Sequence, residues 1–327
     1  MFDLVAGFVY SQTLAACVRL RLFDRLAAGP MTTPKLAAAL DLDPDAVERL
    51  MGAACALRLV DRTAPGRFAL GAQGAALRGN AGLMQMIDHH ARLYADLGDS
   101  VGLLRRGEGE LARYWPYATS QTPGQAQSGE VADYSALMAA TQPAVAADLL
   151  HAYPFGRHRK LMDVGGGEGA FLEAAGRAAP GLQLQLFDLP AVADRARARL
   201  AAAGLAERSA ILEGDFLSEP LPKGADLITL VRILHDHDDA GVATLLRAAR
   251  AALPADGALL IGEPMSGGDR PDRVSDVYFA FYLLAMGRGR ARSPAEITEH
   301  LHAAGFTHVK ALRTRTPFLL RALVARP

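Results

Sequence analysis

The chain has 327 residues, half of them hydrophobic, with 35 basic side chains against 35 acidic ones. That length and apolar content suit two folded domains with buried cores, and the charge balance excludes a global field that would draw nucleic acid or an anionic membrane. Two cysteines, Cys17 and Cys55, are too few for a disulfide framework and sit in apolar helical patterns, as buried thiols of a reducing compartment do.

The opening segment, MFDLVAGFVYSQTLAACVRL, lacks the basic stretch of a secretory signal, and Ser11 and Gln12 interrupt it before it reaches membrane-spanning length. It reads as an amphipathic or buried helix. The longest later apolar stretch, around Val277 to Met286, is also too short to span. The expectation is a cytoplasmic protein, with peripheral contact to an inner or photosynthetic membrane left open as a route to a greasy substrate.

In residues 1–85, Thr33 is placed to cap a helix starting at Pro34, and Asp43 to cap a second starting at Pro44. Val47, Leu50, Met51, Ala54 and Leu57 follow at helical spacing, and LVDRTAPGRFAL then offers two short strands about a Pro65-Gly66 turn. Helices followed by a small wing is the order of a winged helix-turn-helix. Its second helix carries Asp43, Asp45 and Glu48 against Arg49, whereas a groove reader presents a net basic face. We therefore read this segment as a packing or dimerisation module and expect no nucleic-acid partner.

Residues 86–150 carry mostly helical patterns, a connecting region expected to contribute to a substrate pocket and a dimer. TSQTPGQAQSGE makes a loop in it near residues 119 to 130. In residues 151–327 the pattern changes to strands alternating with helices: KLMDV, LQLQLFDL, SAILEGDF, ADLITLVRIL and GALLIGEPM, with Ala-rich helical segments between them. Such alternation predicts a mostly parallel sheet covered on both faces.

The most pointed local signal is the run from Asp163 to Ala170, DVGGGEGA, placed between a strand and a helix. Glycines there allow positive φ and let backbone amides approach a ligand. Gly165-x-Gly167-x-x-Ala170 also satisfies the dinucleotide fingerprint, so nicotinamide binding stays open on the glycines alone. Asp188 ends the second strand, 25 residues after Asp163, near the spacing of about 20 expected of an acid that grips ribose hydroxyls. Gly214-Asp215-Phe216 ends the third, where a carboxylate can accept from an exocyclic amine and a ring can stack on adenine. A turn cap is the other role open to Asp215.

DVGGGEGAFL, FDLPAV, EGDF, ILHDHDD and GEPM occur in the order and spacing found in the plant-type small-molecule O-methyltransferases, which the chain resembles over nearly its whole length. The resemblance implies an α/β fold: a Rossmann-like class I methyltransferase sheet of seven strands with an N-terminal all-helical winged-helix domain that mediates homodimers. It implies S-adenosylmethionine as cofactor, with Asp163, Gly165 and Gly167 lining it, Asp188 and Leu189 at its ribose, and Gly214, Asp215 and Phe216 at its adenine. Arg232 is placed near the cofactor as in bacterial members, and Val231 stands where the plant enzymes have a lysine.

Methyl transfer from a sulfonium is an in-line displacement, so acceptor oxygen, methyl and sulfur must be aligned and one proton removed. A histidine suits that proton because its unperturbed pKa of about 6.5 leaves much of it neutral. His235 follows the apolar strand LITLVRIL, at the edge where open α/β sheets place ligands, and His237 shares its face only if the segment is extended. His235, Asp236, His237, Asp238 and Asp239 also read as candidate metal ligands, but adjacent positions rarely converge as zinc requires, and no metal is expected. The resemblance assigns the base to His235 and the orienting carboxylate to Glu263, which alone reads as a solvated turn residue. The family's second acid, in an Arg-Thr-Glu segment, is missing, since the matching stretch is Arg292-Ser293-Pro294 with Glu296 out of register. His237, in the place of a family tryptophan, or Glu296 is left as its replacement.

Tyr278, Phe281, Tyr282 and Met286, at helical spacing, are expected to line the acceptor pocket with Met138, the other reading being plain core. GFVYSQTLAACVRLRLF and YFAFYLLAMGRGRARSP resemble most the bacterial carotenoid-pathway branch of the family, the hydroxyneurosporene or demethylspheroidene O-methyltransferases. That branch implies the tertiary hydroxyl of an acyclic carotenoid as acceptor. A polyketide, phenolic or bacteriochlorophyll-type ring is the alternative acceptor. A winged-helix DNA-binding regulator with an inactive cofactor domain is the alternative from another class.

Overall fold

Thr33 and Asp43 both precede a proline, yet only Asp43 caps its helix. In the computed structural model, which describes residues 1–114 and 132–327, the Asp43 carboxylate accepts the Asp45 amide at 2.8 Å and opens the helix Pro44–Ala56. The helix Thr33–Leu40 has Thr32 as its N-cap instead, and the Thr33 hydroxyl donates to the Glu48 carboxylate and to the Gly66 carbonyl, 3.2 Å. Thr33 thus ties its helix to the next one and to the hairpin turn. Strands β1 (Met31–Thr32), β2 (Val60–Ala64) and β3 (Arg67–Leu70) pair antiparallel in the order β1-β3-β2, the wing turning at Pro65-Gly66. Val47, Met51 and Ala54, on one face of Pro44–Ala56, pack with Phe23, Leu36 and Phe68 in a closed core. The chain forms two units, Met1–Ala91 and Arg92–Pro327, and this helical module with its small wing occupies the first. Cys17 lies in its core, where burial pushes the thiol up to about 12.

The second unit is built on strands β4 (Lys160–Val164), β5 (Gln183–Asp188), β6 (Ser209–Glu213), β7 (Leu227–Val231), β8 (Ala258–Glu263), β9 (His308–Leu312) and β10 (Arg321–Arg326), in the order β6-β5-β4-β7-β8-β10-β9. The first five are parallel, and β10 runs antiparallel between β8 and β9. Each expected strand segment is present, because side chains alternate between two buried faces at a period of two. Met162, Val164, Ile228, Leu230, Leu259 and Ile261 belong to one apolar core, and Leu161, Leu227, Val231, Ala258 and Leu260 to the other. Helices Ala170–Ala178, Pro190–Ala202 and Asp239–Ala252 connect the parallel strands. The loop expected near residues 119 to 130 lies outside the described residues. Among the described residues no helix is long and apolar enough to cross a membrane.

The parallel strands deliver Val164, Asp188, Glu213, Val231 and Glu263 to one edge of the sheet. Between β4 and β7 the strand order reverses, which opens a crevice at that edge. Leu230 is fully buried under it. We expect Leu230→Ala to cost about 2–5 kcal/mol, the range for truncating a buried leucine. Urea unfolding followed by circular dichroism checks this, and an unchanged midpoint would show that the core closes over the gap.

Candidate active site

The turn after β4 is shaped by glycines. Gly165 and Gly167 have φ of 70° and 58°, and a Cβ on Gly165 would meet Ile233 Cδ1 at 2.6 Å. The Gly167 amide donates to the Asp188 carboxylate at 2.6 Å and the Leu189 amide to the same group at 2.7 Å, so the end of β5 holds the turn in place. Asp163, Gly165, Gly167, Asp188, Leu189, Asp215, Phe216 and Arg232 all line one cavity, and Met138 closes it from the helix Ala132–Ala152. Gly214 does not line it: its Cα backs onto the Phe187 ring, where a Cβ would lie 2.8 Å from Cε2. Asp215 combines both roles considered for it, since its carboxylate accepts from the Leu217 amide, 2.9 Å, and the Ser218 hydroxyl, 3.1 Å, while facing the cavity.

The cavity's electrostatics favour a cation. Asp163 is buried, and one of its oxygens accepts from Thr229 Oγ1 at 2.6 Å, its register partner on β7, while Oδ2 has no hydrogen-bond partner among the described residues. Burial, reinforced by Asp188 and opposed by the Thr229 bond, pushes Asp163 up to about 7. Asp188 is pushed up to about 6, its burial outweighing the two amides. Carboxylates held this high relax toward their charged forms when a positive group arrives. Arg232 supplies the opposite sign. It sits at φ 60°, donates to Thr141 Oγ1 at 2.9 Å and Gln142 Oε1 at 3.3 Å, and has no carboxylate within ion-pair distance among the described residues. A buried carboxylate, a glycine cradle, an aromatic wall and the Arg232 guanidinium fit a zwitterionic, nucleoside-bearing sulfonium such as S-adenosylmethionine.

Beside this cavity Glu263, buried at the end of β8, is fully engaged. Its Oε1 accepts the Ile233 and Leu234 amides, both at 2.7 Å, and Oε2 takes Nδ1 of His235. It is a structural anchor of the turn, where the sequence alone reads a solvated residue. Leu234–Asp236 forms a single 3₁₀ turn, so His235 and His237 do not share a face. His237 instead meets Phe216 edge-on, centroids 5.4 Å apart, at the cavity wall, and burial holds its pKa below the usual histidine value. Glu296 makes no hydrogen bond or ion pair with His235 among the described residues. Its carboxylate takes the Ser293 amide, 2.8 Å, and Arg290, 2.7 Å, in a capping box.

Two neighbours of the His235 ring were missed by sequence reasoning. Asp236, buried and on the cavity wall, places Oδ1 at 3.1 Å from His235 Nε2, so both ring nitrogens face carboxylates. Its adjacency to His235 was the only signal, and it was weighed only as a metal ligand. Phe279 packs edge-on to the His235 ring, centroids 6.3 Å apart. Tyr278, Phe281, Tyr282 and Met286 do not line the cavity with Met138 but form an apolar cluster with Leu93, Leu103 and Leu111. Tyr278 stacks on Tyr282 and abuts Phe279, so the cluster supports the imidazole from behind, and burial pushes the Tyr278 phenol up.

Burial alone would depress His235, but Asp236 and Glu263 outweigh it and raise its pKa to about 10 from an unfolded value near 6.5. The resulting stabilisation is complete below pH 6.5 and is lost as pH rises through about 10. The urea midpoint of the wild type should therefore fall relative to that of His235→Gln between pH 6.5 and 10. Parallel curves for the two proteins would show that the imidazolium is not held by the carboxylates.

Residues 94–307 match the O-methyltransferase domain family and residues 2–78 the O-methyltransferase dimerisation domain. The chain is 48% identical to demethylspheroidene O-methyltransferase of Cereibacter sphaeroides, covering 99% of this chain and 86% of that one. It is 45% identical to demethylspheroidene O-methyltransferase of Rhodobacter capsulatus, covering 99% and 81%. Human N-acetylserotonin methyltransferase, solved in complex with S-adenosylmethionine, superposes with a TM-score of 0.81 at 25% identity over 99% of this chain and 95% of that one. The dinucleotide reading of the glycine run falls away with these matches. The crevice at the strand ends, the cation-favouring carboxylates and the full-length similarity place the chain in one group: it belongs to the S-adenosylmethionine-dependent O-methyltransferase family.

Proposed function

We propose that this enzyme transfers a methyl group to the tertiary hydroxyl of an acyclic carotenoid of the demethylspheroidene type, with His235 receiving the hydroxyl proton. The observation that carries the chemistry is the His235 ring set between Glu263 and Asp236 beside a cavity poised for a cation. The acceptor class rests on the near-full-length similarity to the two demethylspheroidene enzymes. When bound, S-adenosylmethionine supplies an electrophilic methyl on a positively charged sulfur. Arg232 would hold its carboxylate, Asp163 its ammonium group, Asp188 its ribose, and Phe216 its adenine.

Glu263 fixes the imidazole with Nδ1 inward, which leaves Nε2 as the nitrogen that meets the acceptor. In the resting site that nitrogen is shared with Asp236, and the ring is cationic at neutral pH. Two changes on ligand binding lower its pKa: a cation arrives nearby, and the acceptor hydroxyl takes the place of Asp236 at Nε2. The ring releases its Nε2 proton to solvent and, now neutral, accepts the hydroxyl proton at Nε2 as the oxygen attacks. A tertiary alcohol is far less acidic than a phenol, so its proton leaves in concert with attack, and alignment matters more than prior ionisation.

His235→Ala should lower turnover by about 10²–10⁴-fold, the usual contribution of a positioned base, while calorimetry finds S-adenosylmethionine affinity within a few-fold of wild type. Asp236→Asn should shift the acid limb of the rate profile to lower pH, because one of two carboxylates raising His235 is gone. Assays with a hydroxylated acyclic carotenoid and a phenolic ring, read by product mass, decide the acceptor. Methylation of the phenol alone, or full activity in His235→Ala, would overturn the respective half of this reading.

The first helix, Phe2–Arg19, exposes Phe2, Leu4, Val5 and Phe8. In the homodimer we propose, a second copy covers this apolar face. Sedimentation velocity should find a dimer, converted toward monomer by Phe2→Asp with Phe8→Asp. A monomeric wild type would refute the assembly.

A further inference from the structure

We propose that Arg292 is a positioning residue of the methyl-transfer site, clamping the turn that carries His235 and Asp236 from the side opposite Glu263; the inference rests on the reading of His235 as the base. The Arg292 side chain is 2% exposed and uses its planar fork on three groups. Nη1 donates to the Leu234 carbonyl at 2.9 Å and Nη2 to the His237 carbonyl at 2.8 Å. Nε and Nη2 together grip Oδ1 of Asp239 at 2.8 and 2.7 Å, at the start of the helix Asp239–Ala252. The two carbonyls bracket the pair His235-Asp236 in the chain.

The turn is therefore held at both ends by opposite charges. Glu263 takes the amides of Ile233 and Leu234, and Arg292 takes the carbonyls of Leu234 and His237. A second observation places the same segment against the turn. Gly289, at φ 77°, lies flat on it, and a Cβ there would stand 2.7 Å from the Asp236 carbonyl carbon and 2.9 Å from its Cα. The Arg292 carbonyl in turn accepts the Ser266 amide at 3.0 Å, which ties the clamp to the chain leaving β8, the strand that ends in Glu263. Arg292 does not line the cavity. Its effect on the reaction passes through the backbone that sets the His235 to Asp236 contact.

Geometry also says why arginine is needed. A lysine carries the same charge on one nitrogen and cannot span two carbonyls and a carboxylate in one plane. A displacement of the turn by about 1 Å would misplace the base, a scale of error that costs about 10²-fold in rate.

Arg292→Ala and Arg292→Lys are the test, measured beside His235→Ala. Both Arg292 variants should bind S-adenosylmethionine within about threefold of wild type and lose kcat by about 10²-fold with little change in acceptor KM. The acid limb of the kcat profile should move, the His235 imidazole resonances should shift in NMR spectra of the unliganded protein, and free guanidinium should restore activity to Arg292→Ala but not to Arg292→Lys. Should Arg292→Ala not fold, Arg292→Lys decides by the same kcat, pH and NMR readouts. Wild-type kcat with an unmoved imidazole signal, or activity lost only in proportion to cofactor binding and without guanidinium rescue, overturns the clamp. An active His235→Ala removes the base reading while the NMR shift still reports the clamp. An inactive His235→Ala beside a fully active Arg292→Lys removes the clamp alone.

Discussion

The contact on which the site depends is the one between the Glu263 carboxylate and the turn Ile233 to His235. A buried carboxylate is costly unless its oxygens are satisfied, and Glu263 has two backbone amides and an imidazole N–H as donors. The same three bonds locate the end of β7, orient the ring and select its tautomer. Because β7 and β8 are neighbours in register, Val231 opposite Gly262, the carboxylate needs no long reach. The sheet therefore brings His235 and Glu263 to one place by strand pairing, with loops adding only the turn.

The cofactor crevice follows from the same sheet. Reversal of strand order beside β4 leaves room at the strand ends, and the glycine turn brings backbone amides to its floor. Asp163 and Asp188 are buried where ionisation is expensive, a cost that a neighbouring sulfonium or ammonium relieves. The free energy released by a cation there is binding energy built into the fold. Arg232, in a left-handed backbone conformation on the opposite wall, gives a zwitterion one preferred direction.

His235 lies between two carboxylates and against an apolar cluster, and these press its pKa in opposite directions. Desolvation favours the neutral ring and the carboxylates favour the cation; the carboxylates win in the resting site. In the proposed mechanism such a ring is switched by what replaces Asp236 at Nε2, which would link proton removal to acceptor binding. Tyr278, Phe281, Tyr282 and Met286 share an apolar cluster with Phe279, the ring that meets His235 edge-on.

Much of this was legible in the order of residues. Short apolar runs alternating with Ala-rich helical segments marked the five parallel strands between Lys160 and Glu263, since strands buried on both faces are apolar along their length, and glycines between a strand and a helix marked the cofactor turn before any contact was known. Motif order singled out His235, Glu263 and Asp188 as candidates and indicated the winged front end. Tertiary structure decided the rest. Which of Thr32 and Thr33 caps its helix turned on hydrogen bonds to Glu48 and Gly66, and helical spacing could not say whether Tyr278 and Tyr282 face a ligand or one another. Asp236 folds back onto its neighbour only because the chain makes a 3₁₀ turn, and Arg292 reaches that turn from 58 positions along the chain. Patterns in sequence report what each segment can bury; the partners of a buried charge are set by which distant segments the fold brings within about 3 Å of it.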